Sequence, residues 1–94
     1  MAAYLIADID IDPASYEHYK RQVASVIERF GGRYLAHGGK HEVLEGDWEP
    51  RRLIVLEFPD RRSLEAWYAS PEYAPIRRIR EQSANSRLVL LDGL

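Results

Sequence analysis

The chain has 94 residues, 46% hydrophobic and 30% charged, with a formal net charge of -2 and no cysteine. One domain spanning 1–94 is expected, burying ~60–65% of its unfolded surface, so its core is thin and a partner would help. The charge gives no case for nucleic acid or an anionic membrane, and the missing cysteines exclude disulfides, iron–sulfur and zinc–thiolate sites and a thiol nucleophile.

The opening "MAAYLIADIDID" meets acids too early and lacks the basic start of a signal peptide. No stretch approaches the ~20 apolar residues of a membrane span. A cytoplasmic protein is the expectation. Tyr4 to Ile11 reads as a strand, with β-branched and aromatic residues in alternation. Asp12-Pro13 then opens a helix, an N-cap oxygen followed by proline at the first helical position. Tyr16, Tyr19, Val23, Val26, Ile27 and Phe30 form its apolar stripe, and Gly31-Gly32 ends it. Arg33 to His37 is a second strand.

"AHGGKHEVLEGDW", Ala36 to Trp48, carries two of the three histidines and one of the two tryptophans. It reads as a long hairpin with tight turns at its glycines and a short ribbon at His41 to Leu44. Trp48 is expected to pack back over the barrel mouth or reach a partner subunit. Arg52 to Phe58 is the third strand. Asp60 caps a second helix bearing Leu64, Trp67 and Tyr68. Ser70-Pro71 repeats the cap-then-proline signal, so a third helix is expected from there to about Gln82, with Pro75 tolerated near its start. "SANS" reads as a loop, and Arg87 to Asp92 as the last strand.

The order βαββαβ is the ferredoxin-like pattern, an α+β fold. Right-handed crossovers place the helices on one face of a four-stranded antiparallel sheet. The longer apolar rows, such as Leu5-Ala7-Ile9-Ile11, are assigned to the helices. The second face then reads Tyr4-Ile6-Asp8, Leu53-Val55-Glu57 and Leu88-Leu90-Asp92. Burying six such apolar side chains is worth roughly 1.5–3 kcal/mol each. A bare patch of that size marks an interface, so a second copy is expected to cover it and form a dimeric α/β barrel.

Adjacent first and third strands, taken as parallel, would set Asp8 and Glu57 side by side, with Asp92 at the other end. Neighbouring carboxylates push their pKa values apart, as general acid/base pairs require. In the competing reading each acid pairs with an arginine at the rim, Arg33 reaching Glu57. His37, placed on the face of Arg33 and Leu35, would point into the cavity as a proton carrier, against a plain structural role. Trp67, Tyr68 and Tyr73 suit core packing or the wall of a small-molecule site. Arg80 sits on a solvated helix face or lines the inner side.

No metal or cofactor is expected. His18, His37 and His41 lie in unrelated places. The D-x-D-x-D run from Asp8 lacks the later glycine and glutamate of a calcium loop. "HGGK" lacks the spacing of a phosphate-binding loop.

"YLAHGG", "LEGDWEPRRLIVLEFPD", "AWYASPEY" and "LVLLDG" resemble the family called domain of unknown function 1330, over nearly the whole chain. The resemblance implies a dimeric α/β barrel without an established reaction. It draws attention to Glu45, Gly46, Trp48, Arg52, Glu57 and Phe58, and to Trp67, Tyr68, Ser70, Tyr73, Arg80, Asp92 and Gly93. The family commonly has arginine where this chain has His37, which puts an anion-binding role there in doubt.

Three functions stand side by side. One is a homodimeric small-molecule-binding or accessory protein with a cavity between sheet and helices, its ligand-binding candidates being His37, Trp48, Glu57, Trp67, Tyr68, Tyr73, Arg80 and Asp92. The second is a cofactor-independent isomerase or monooxygenase-like enzyme, with Glu57 or Asp8 as base and His37 or Arg80 steadying an oxyanion. The third is a structural dimer with no ligand.

Overall fold

The computed structural model describes residues 1–94. Its elements are β1 (Ala3–Ile11), α1 (Pro13–Arg29), β2 (Arg33–His37), β3 (Leu53–Phe58), α2 (Arg61–Tyr68), α3 (Ala74–Ser83) and β4 (Ala84–Asp92). The helix starts follow from local chemistry. Asp12 Oδ2 accepts the Ser15 N–H at 3.0 Å, and Asp60 Oδ1 accepts the Ser63 N–H at 2.7 Å. Each cap supplies an acceptor to an N–H that the helix itself cannot pair.

The third helix begins later than the cap-then-proline signal suggests. Ser70 Oγ does accept the Tyr73 N–H at 3.1 Å and donates to the Trp67 carbonyl at 2.8 Å. Residues 71–73 nevertheless form a turn. With the helix starting at Ala74, Pro75 falls in the first turn, where its missing N–H leaves no bond unmade. At the far end there is no loop. Ala84, Asn85 and Ser86 already pair with Ile11, Asp10 and Ile9.

The sheet order is β2-β3-β1-β4, and every neighbouring pair is antiparallel. This corrects the parallel pairing expected for the first and third strands. Two elements joined by a helix are parallel, but β1 and β3 are separated by a crossover and a hairpin, which reverses the direction once more. Asp8 therefore lies opposite Leu53, while Glu57 lies opposite Tyr4 at the other end.

The core forms on the helix side. Ala3, Leu5, Ala7 and Ile9 of β1 and Ile54, Leu56 and Phe58 of β3 pack against Tyr16, Tyr19, Val23 and Ile27 of α1 and Leu64 and Trp67 of α2. The β4 assignment is reversed. Leu88 and Leu90 stand opposite Ala7 and Leu5 and pack on the core, while Val89 and Leu91 stand opposite Ile6 and Tyr4 on the open face. Both rows of β4 are apolar, so hydrophobicity could not choose between them, and pairing with β1 does.

The molecule is a slab of Cα extents 34 × 33 × 17 Å, one helix layer on one sheet. Nothing in the chain covers the open face apart from its loop end. Val89 is 56% exposed and Leu91 52%. No helix is long and apolar enough to cross a membrane.

Candidate functional site

The helices and the inner sheet face enclose a cluster of aromatic rings. The Trp67 ring of α2 stacks on Tyr73, just before α3, at 4.3 Å between centroids. Tyr68 meets Trp67 and Tyr73, each at 6.0 Å. The Tyr19 and Tyr73 hydroxyls share a 2.7 Å hydrogen bond. Burial pushes the Tyr19 hydroxyl far above the ordinary tyrosine range, so it remains a neutral phenol.

Arg80 of α3 belongs to this cluster. It is 4% exposed, which removes it from the solvated helix face that was one of its two expected positions. Burial works against its charge, but the neighbouring Tyr73, Tyr19 and Tyr68 more than offset that, and the guanidinium stays ionised. Its Nε has no hydrogen-bond partner, and neither does the buried Trp67 Nε1.

A groove of about 450 Å³ runs between α2 and the edge strand β4. Leu5, Leu64, Tyr68, Ala69, Leu88 and Leu90 line it, with Glu65 at the side. Tyr68 thus borders both the groove and the ring cluster. Deeper between sheet and helices the space is nearly filled, leaving about 20 Å³ among apolar side chains.

His37 lies on the helix-side face, not on the face of Arg33. A bulge between Tyr34 and Ala36 shifts the register, so Arg33 stands opposite Glu57 and His37 opposite Ile54. An extra residue in a strand turns everything after it over, and five residues of alternation do not reveal it. The His37 ring stacks on Tyr34 at 4.2 Å, and Nε2 meets the Tyr16 hydroxyl. Arg52 lies over the Tyr16 ring at 4.1 Å. Burial, helped by Lys20 and Arg52, holds the His37 pKa below its usual value. Burial also pushes the Tyr16 hydroxyl up to about 12.

The carboxylates are dispersed. Asp8 faces the open side, where its oxygens accept Trp48 Nε1–H at 3.1 Å and the N–H groups of Arg51 and Arg52 at 2.9 and 3.3 Å. Burial alone would raise its pKa, but those three bonds and nearby Arg87 lower it. They strap the long loop onto the sheet beside a polar basin of about 430 Å³ lined by Asp8, Asp10, Trp48, Arg51 and Arg87. The loop carries no ribbon at His41 to Leu44. Gly38 and Gly46 take positive φ of 68° and 89°, which a side chain would resist.

Glu57 is held by Arg33 Nε at 2.7 Å, and Asp92 by Arg61 at 3.1 Å, as rim ion pairs. The adjacent Asp8–Glu57 acid/base pair is therefore absent. Of the expected site residues, Trp67, Tyr68, Tyr73 and Arg80 come together. His37 is apart from them, and Trp48, Glu57 and Asp92 are elsewhere. Tyr19 was expected only as core, although a hydroxyl on an apolar stripe was a visible signal that it needs a partner. No group of three or more histidines and acids is placed to hold a metal ion.

Several solved structures share this fold. RPA0582 from Rhodopseudomonas palustris, of unknown function, aligns with TM-score 0.79 at 23% identity over 99% of this chain and 82% of that one. SnoaB from Streptomyces nogalater, a cofactor-independent oxygenase, aligns with TM-score 0.68 at 15% identity, covering 99% of this chain and 93% of that one. A dimeric ferredoxin-like protein of unknown function from Jannaschia sp. CCS1 aligns with TM-score 0.66 at 13% identity, covering 99% and 100%. No curated protein matches the sequence. The model of one family, "Domain of unknown function (DUF1330)", matches residues 2–94, and the chain belongs to that family.

Proposed function

We propose that the protein is a homodimer that binds a small, mainly apolar molecule between sheet and helices. The carrying observation is the groove of about 450 Å³ between α2 and β4, apolar along almost its whole lining. Pockets of this size and character, with a few polar groups nearby, suit small ligands. The homodimer is supported by the open sheet face and by the dimeric Jannaschia protein that shares the fold.

A thermal-shift screen of small carboxylates, quinones and aromatics tests the ligand. A molecule that binds the native state stabilises it by about 2.7 kcal/mol at a hundredfold excess over Kd. A saturable rise in Tm is expected, and Ala69→Phe, which fills the groove, should remove it. No rise with any compound, or the same rise in Ala69→Phe, would refute the reading and leave a structural dimer.

A second reading, a cofactor-independent isomerase or monooxygenase-like enzyme, is favoured by one observation. His37, the Tyr16 hydroxyl and Arg52 meet in a half-buried corner, a proton acceptor beside a phenol and a cation. Glu57 and Asp8, the bases first expected, are separated from it and engaged elsewhere. Turnover of a quinol by the wild type that is lost in His37→Ala would establish this reading.

A further inference from the structure

The sheet order ends on β4, so no strand of the chain pairs with its outer edge. Nine residues long, β4 runs against β1 from Ala84, opposite Ile11, to Asp92, opposite Ala3, without a bulge. It has no proline or lysine to blunt the edge, and its one cation, Arg87, stands opposite Asp8 on the open face. The phase of the ladder is fixed at its end, where the Gly93 N–H donates to the Ala2 carbonyl at 2.7 Å. Hydrogen-bonded pairs alternate along an antiparallel ladder, so Leu91, Val89 and Arg87 turn their backbone groups to β1. Ser86, Leu88 and Leu90 turn theirs to the free edge. On the other side of β1 the Ile9 N–H donates to the Arg52 carbonyl at 3.0 Å, which gives the same alternation. Leu88 and Leu90 are also the β4 residues that line the groove beside α2. Apolar lining and unpaired backbone donors and acceptors therefore fall on the same two residues. Glu65 is the one charged side chain lining the groove. Only its Oε1 is engaged, by Arg61, which also holds Asp92.

We propose that the groove's ligand is a short apolar peptide that adds to β4 as an antiparallel strand. This rests on the ligand-binding reading and names the ligand's class. Backbone bonds to Leu88 and Leu90 supply affinity, and alternate side chains enter the groove between α2 and β4. Residues directly opposite each other in a ladder point to the same face, so the peptide residues facing Leu90 and Leu88 are the ones that turn inward. Antiparallel entry brings the peptide's N-terminus to the Asp92 end of β4, where its ammonium complements Glu65. Ser86, Leu88 and Leu90, the inner row of β4, include no cation, so a second copy pairing edge to edge would leave that charge unanswered.

Calorimetric titration of the full chain with Gly-Leu-Thr-Leu amide tests the proposal, with amide exchange at Leu88 and Leu90 followed by NMR. The two leucines of the peptide are placed to face Leu90 and Leu88. Saturable binding that slows exchange at both amides is expected. Methylating either leucine nitrogen removes an N–H aimed at β4 and should weaken binding at least about tenfold, while methylating the threonine nitrogen, which points away, should change it by less than about twofold. Acetylating the peptide's amine, or Glu65→Gln in the protein, should weaken binding by about two- to fivefold. Equal loss from all three methylations, or unchanged exchange at Leu88 and Leu90, would overturn the added strand. Protection of those two amides in the peptide-free protein that grows with its concentration would also overturn it, placing a second copy on the edge. No effect of either acetylation or Glu65→Gln would overturn the antiparallel orientation. A saturable rise in Tm with compounds of the ligand screen, but no binding of the peptide, would overturn the strand and leave the groove as a ligand site. Failure of both would remove both.

Discussion

The two faces of the sheet are made by alternate residues of the same strands, and they have opposite fates. On the inner face Ala3, Leu5, Ala7, Ile9, Ile54, Leu56 and Phe58 are all buried under the helices. On the outer face Tyr4, Ile6, Leu53, Val55, Val89 and Leu91 are comparably apolar and remain partly or largely open. A sheet meant to face water alternates to polar residues. The contrast teaches that one apolar face is closed within the protomer while the other is left open, and it is this open face that the proposed homodimer would cover.

The inner face is the more sensitive. Phe58→Ala removes a fully buried ring that packs on Trp67 at 5.5 Å and should cost about 3–5 kcal/mol in urea unfolding. Val89→Lys on the outer face should leave the far-UV spectrum unchanged while removing roughly 1.5–3 kcal/mol per subunit from association, read by sedimentation. Equal effects of the two substitutions on folding would erase the distinction between the faces.

Asp8 joins the outer face to the long loop. Asp8→Ala should lower stability by about 1 kcal/mol, modest because its bonds are solvent-screened. Trp48 fluorescence should shift with it. Because the Asp8 pKa is lowered on folding, its contribution is present above the unfolded value of 3.8 and lost as pH falls through the native one.

His37, on the inner side, gives a smaller effect with a pH signature. Its native pKa is depressed, so the unfolded chain takes up the proton first as pH falls. The contribution is complete above about pH 6.5 and declines as pH drops through the native value. His37→Asn should flatten the dependence of unfolding free energy between about pH 7.5 and 5.5. Smallest of all, Arg33→Ala breaks an exposed ion pair with Glu57 and should change stability by about 0–1 kcal/mol.

Much of the fold was legible. The caps at Asp12 and Asp60, the bounds of β2, the stripe of α1 and the ferredoxin-like order all follow from spacing and local chemistry. The errors in the sheet have one physical origin: pairing. The β4 rows were indistinguishable by hydrophobicity until set against β1, and the bulge at Leu35 turned His37 to the other face. Ala84 to Ser86 look like a loop and become strand because β1 offers them partners. Of the site, the aromatic residues at helical spacing were visible. The junction of Arg80 with Tyr19 and Tyr73 was not, because it is made by α3 meeting α1.

The central claim is that the outer face is a subunit interface. Sedimentation equilibrium of the wild type at low micromolar concentration tests it directly. A particle of twice 10.9 kDa is predicted, reduced to 10.9 kDa by Val89→Lys. A wild-type particle of 10.9 kDa even at hundreds of micromolar, with Val89 and Leu91 open to solvent, would contradict it.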